Sequence, residues 1–157
     1  MLTILLLIAM AAFFAATVLW LVKPRSAALR NAQKIRESVA RLLKRPFGAY
    51  VIIEDPVFGK YVQISGSVRE PLVFDLPRQL LTLDEFERAC QLFGQLGHAG
   101  PETFEVYDSA NGRAAGTQTS FILSFGDDVE RATELALKVF AGVYAVGDNV
   151  ALIITEQ

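Results

Sequence analysis

Apolar positions along this chain fall into three patterns: one unbroken run, several helical stripes and several strict alternations. The run comes first. Leu2 to Val22 holds 21 positions without a charge, a proline or a glycine. As a helix it would extend roughly 31 Å, about the thickness of a bilayer's hydrocarbon core. Trp20 suits an interface, and Lys23-Pro24-Arg25 cannot follow the run into lipid. The pattern predicts a retained transmembrane anchor over 1–22. A cleaved signal peptide is the weaker alternative, because no basic side chain precedes the run and its small residues lie inside it rather than after it. A buried core helix this apolar on all sides would be unusual in a chain of 157 residues.

Helical periodicity follows. Ala28, Ala32, Ile35, Val39 and Leu42 are spaced four, three, four and three, which predicts a helix from Ser26 to Arg45 ended by Pro46 and Gly48. Strand alternation then takes over at Tyr50–Glu54, Lys60–Ser65 and Pro71–Leu76, with turns at Asp55-Pro56 and Gly59 and breaks at Gly66 and Pro77. A second helix is predicted over Leu81–Leu96, opened by a Thr82/Glu85 capping box and stopped by Gly97 and Pro101. Thr103–Tyr107 and Thr119–Phe125 predict another hairpin around a loop from Ser109 to Thr117. A third helix over Asp128–Tyr144, with Asp127 as N-cap, leads through Gly147-Asp148 into a closing strand at Val150–Ile154. Strands that come in runs, rather than alternating singly with helices, predict an α+β class with an antiparallel sheet.

Charge divides the chain further. Residues 23–45 carry eight of the 15 basic side chains against one of the 17 acids, so the segment is +7. Residues 46–157 keep seven basic and sixteen acidic residues, a balance of −9. The expected domains are therefore an anchor at 1–22, a basic juxtamembrane amphipathic helix at 23–45 and an acidic α+β body at 46–157. With no Lys or Arg before the span and Lys23, Arg25, Arg30 and Lys34 soon after it, the positive-inside bias predicts a single-pass protein of the cytoplasmic (inner) membrane. Its N-terminus would lie outside and its C-terminal domain in the cytoplasm. Those four residues are then candidates for lipid headgroup contact. Nucleic acid is not the expected partner, because nearness to a membrane would already account for the basic stretch. The stripe of this helix could instead pack on its own domain, the reading favoured here.

Candidate chemistry is sparse. One histidine, His98, and one cysteine, Cys90, make no nucleophile–base pairing legible and supply too few ligands for zinc. The acidic groups Asp84-Glu85-Glu87 and Asp127-Asp128-Glu130 each open a helix, where capping and the helix dipole account for them. No phosphate-binding glycine motif follows a strand. The expectation is no catalytic residue, no metal and no cofactor.

A resemblance adds to this. Ala49-Tyr50-Val51-Ile52-Ile53-Glu54-Asp55-Pro56 with Gly59-Lys60-Tyr61-Val62-Gln63 resembles the opening hairpin of the YbjN and CesT-like (type III secretion chaperone-like) peptide-binding superfamily. Pro71-Leu72-Val73-Phe74-Asp75-Leu76-Pro77 with its acidic-started helix, and Phe125-Gly126-Asp127-Asp128-Val129-Glu130 with Ala132, Leu135 and Ala136, are similar to later parts of it. The resemblance implies an α-β-β-β-α-β-β-α domain. Members bind partners without catalysis through sheet and helix surfaces, often as dimers, so a homodimer is among the implied arrangements.

The expected function is a non-enzymatic, membrane-tethered protein- or peptide-binding module, chaperone- or adaptor-like. Tyr50, Tyr61, Gln63 and Ile122 are its candidate peptide-binding residues, and each also fits an ordinary core or solvent-face role. The alternative is an accessory structural subunit of a larger membrane complex, with Ala9, Ala11, Ala12, Ala15 and Ala16 allowing close helix approach.

Overall fold

The computed structural model describes residues 27–107 and 113–157. In chain order these form α1 (Ala27–Leu42), β1 (Tyr50–Glu54), β2 (Tyr61–Ser67), β3 (Glu70–Pro77), α2 (Leu83–Gln95), β4 (Glu102–Tyr107), β5 (Ala114–Gly126), α3 (Val129–Lys138) and β6 (Ile153–Glu156). The six strands make one sheet in the order β4-β5-β3-β2-β1-β6, every neighbouring pair antiparallel. The class is α+β, with three α-helices against that sheet.

The anchored, single-pass architecture expected from Leu2–Val22 is corrected. Among the described residues no helix is long and apolar enough to cross a membrane. The longest, α1, has 16 residues, short of the about 20 a span needs, and its polar face is wide. Leu2–Val22 itself lies outside the described residues, so neither the transmembrane element nor the inner-membrane location is carried forward.

Alternation decides which side of the sheet is buried. Val51 and Ile53, Val62 and Ile64, Leu72, Phe74 and Leu76, and Phe121 and Leu123 all point to one face and are buried there. The helices cover that face with Ile35, Val39 and Leu42 from α1, Ala89 and Phe93 from α2, and Ala132, Leu135 and Ala136 from α3. Thus α1 packs on its own domain, with its outward charges in water. Asn31 and Ser38 are also buried on its stripe, beyond what apolar spacing alone marks.

Local chemistry sets the ends of the elements. The capping box is present at α2: Thr82 Oγ1 accepts from the Glu85 N–H at 3.3 Å, and Glu85 Oε2 accepts from the Thr82 N–H at 2.7 Å. The same carboxylate accepts from Lys60 Nζ at 2.8 Å. Burial pushes the Glu85 carboxyl up, but the Lys60 and Thr82 hydrogen bonds outweigh it and hold the group below its usual range. At the other end Gly97, at φ 85°, lets the Gly97 and His98 N–H groups return to the carbonyls of Gly94 and Phe93, a Schellman closure.

Several boundaries differ from expectation: the closing strand is Ile153–Glu156 rather than Val150–Ile154, and the last helix is α-helical only to Lys138 and continues as a π-helix over Val139–Val143. Gly66 does not end β2 but lies inside it at a register shift, where a Cβ would come 2.8 Å from Leu72 Cδ2. Asp128 rather than Asp127 caps α3, accepting from the Arg131 N–H at 3.0 Å. β5 starts at Ala114, inside the stretch expected to be loop, because β4 continues pairing past the end of β3.

Candidate functional site

On the other face of the sheet the side chains are half-buried or exposed, and no helix covers them among the described residues. Register lines up one row across it: Ile122 on β5, Asp75 on β3, Gln63 on β2, Ile52 on β1 and Thr155 on β6. At about 4.8 Å per strand the row is roughly 19 Å long. Tyr50, Ser65, Val73 and Ser124 form the next row, and Ile153, Glu54 and Tyr61 lie on the side nearer the β1–β2 turn.

Tyr50, Tyr61, Gln63 and Ile122 therefore share this face. Gln63 and Ile122 flank Asp75 directly, and Tyr61 follows two positions from Gln63 along β2. Of the residues considered for headgroups, Arg30 and Lys34 are exposed on α1, whereas Lys23 and Arg25 lie outside the described residues.

Asp75 is the unusual member. Its Oδ2 accepts from Gln118 Nε2 at 3.3 Å, and that amide also donates to Ser120 Oγ at 2.9 Å. Its Oδ1 is shielded from water and has no hydrogen-bond partner. Burial raises the Asp75 carboxyl above its ordinary range, and the Ser120 and Gln118 side chains only partly oppose this. The alternation of Pro71–Leu76 marks Leu72, Phe74 and Leu76 and gives Asp75 no role. The signal was present: a single acid amid the apolar residues of Leu72–Leu76, in a strand context that disfavours Asp.

A raised folded-state pKa means that the unfolded chain ionises Asp75 more readily than the fold does. Its charge therefore costs stability above the folded pKa, and the cost fades as pH falls through that value. Asp75→Asn should raise the urea midpoint at pH 7, and the gain should shrink towards pH 4. An equal gain at both values would show that ionisation is not the cause.

The residues considered for catalysis are placed apart in character. Cys90 is half-buried and packs on the core, while His98 is exposed beyond the Schellman turn. His98 borders a cleft of about 110 Å³ with Leu123, Phe125, Arg131 and Lys138, smaller than the roughly 300 Å³ at which small-molecule sites begin. Among the described residues no group of three or more His, Cys, Asp or Glu could hold a metal ion.

A second exposed feature is the β1–β2 turn. Buried Asp55 accepts from the Val57 N–H at 3.0 Å and from the Phe58 N–H at 3.3 Å, fixing a turn that leaves both apolar side chains largely in water. No protein-family profile, curated protein or solved structure matches this chain.

Proposed function

We propose that this chain is a non-enzymatic protein- or peptide-binding module, chaperone- or adaptor-like, whose contact surface is the open face of the sheet. The observation that carries this is the row Ile122–Asp75–Gln63–Ile52, which sets two aliphatic side chains around a polar centre on a face with no helix over it among the described residues. A rigid antiparallel sheet needs no ordering before it binds, so an extended or helical segment laid across it meets a preformed surface. The resemblance to peptide-binding chaperones favours the same reading.

The test places a photocrosslinking amino acid at Ile122, with a matched substitution at the exposed Gln33 of α1 as control. Crosslinks to a defined polypeptide from position 122, absent from position 33 and suppressed by Ile52→Glu, are the expected result. Equal labelling from both positions, or none from 122, would overturn the proposal.

The Val57–Phe58 turn favours a second reading, an accessory subunit fixed in a larger protein complex. An apolar tip held in one shape suits a permanent contact more than a succession of clients. Constant stoichiometry with one set of proteins, lost on Phe58→Ser, would favour the subunit.

A further inference from the structure

The chain withdraws four notable carboxylates from water and treats three of them alike. Asp55 is met by two backbone N–H groups, Glu85 by Lys60 and the Thr82 N–H, and Glu156 by Arg41 and Arg45. Asp75 is the exception. Its Oδ1 is the one carboxylate oxygen among the described residues that is shielded and has no donor, and no lysine or arginine pairs with it. A carboxylate left in this condition costs stability that Asn or Thr would not, and such costs are typical of surfaces selected for a ligand.

We propose that Asp75 selects what binds the open face, by receiving the guanidinium of an arginine in the bound polypeptide. This rests on the peptide-binding reading above and names the chemistry of its partner. Geometry favours it. Asp75 lies second in the row, with Ile122 one strand away on one side and Gln63 then Ile52 on the other, so an extended segment crossing the strands would bring an arginine to Asp75 and apolar residues towards Ile122 and Ile52. The 3.3 Å contact from Gln118 is a long hydrogen bond to the carboxyl, with the Ser120 side chain beside it. Giving it up lets the group turn both oxygens outwards to a planar, two-pronged donor, and Gln118 keeps its bond to Ser120. Charge agrees, because residues 27–157, α1 included, carry 13 basic against 17 acidic side chains, a balance of −4 that favours a basic segment over an acidic one. An acidic segment would meet repulsion at the same point.

The test uses the full chain and two synthetic peptides of alternating Ile and Thr, capped at both ends. One carries a central Arg and the other its neutral isostere, citrulline. Binding is read by the methyl resonances of Ile52 and Ile122. The Arg peptide should shift both methyls and bind about 10- to 100-fold more tightly than the citrulline peptide, the range expected for a charge-assisted hydrogen bond. Asp75→Asn should erase that difference. Asp75→Lys should transfer the preference to a peptide with a central Glu, a gain that misfolding cannot imitate. Equal affinity for the Arg and citrulline peptides, with both methyls still shifted, would overturn the selectivity of Asp75 and leave the binding face standing. No shift at Ile52 or Ile122 with either peptide would overturn both.

Discussion

Phe93→Ala should remove about 3–5 kcal/mol of folding stability, among the largest losses expected from a single truncation in the described residues. Phe93 is fully buried on α2, with its ring 4.6 Å from that of Phe121 and 6.2 Å from that of Phe74. These rings come from the helix layer and from two adjacent strands, so the cavity left behind is bounded by a sheet that cannot collapse into it. The whole domain is expected to hold about 5–15 kcal/mol, so the variant would stand near the edge of folding. Urea unfolding followed by circular dichroism measures it. A loss under about 1 kcal/mol would show that the ring cluster is not the centre of the core.

Asn31→Ala should cost about 2–4 kcal/mol, more than its place on a helix surface suggests. The Asn31 side chain is buried beside the segment that leads into β6. Its Nδ2 donates to the Val150 carbonyl at 2.8 Å, and its Oδ1 accepts from the Leu152 N–H at 3.1 Å. Alanine strands both backbone groups and enlarges a neighbouring cavity of about 140 Å³ bounded by Leu137 and Phe140. Asn31→Asp separates the two bonds, because it keeps the acceptor for Leu152 and turns an oxygen on the Val150 carbonyl. Amide exchange should speed up at Leu152 and along β6 in the alanine variant and leave Phe74 protected. Uniform acceleration would mean that the clasp is not local.

How far the sequence foretold this follows from the kind of force involved. Period-two runs such as Val62/Ile64 and Leu72/Phe74/Leu76 announce which face is buried, because one-sided burial writes itself into alternation. The Thr82/Glu85 box and the Gly97 stop are equally local and were legible for the same reason. Asn31 and Asp75 were not. Their roles depend on partners far away in sequence, Val150 for one and Gln118 for the other, and no window of ten residues contains such pairs. The four candidate contact residues could be placed on one surface only once strand order was known. Alternation says that Gln63 and Ile122 point away from the core, but not that Asp75 lies between them. The run from Leu2 to Val22 illustrates the opposite hazard, since composition there invited an architecture that no described helix provides.

The position of β6 has a consequence for how the molecule assembles. Its anchors to α1, Asn31 to Val150 and Arg41 to Glu156, join residues 119 and 115 positions apart. Until that segment arrives, β1 presents a bare row of amides and carbonyls along one side, flanked by Val51 and Ile53, while the β1–β2–β3 meander is already able to close. The interval between those two events is when the nascent chain is most exposed to pairing with a stranger, and four residues end it.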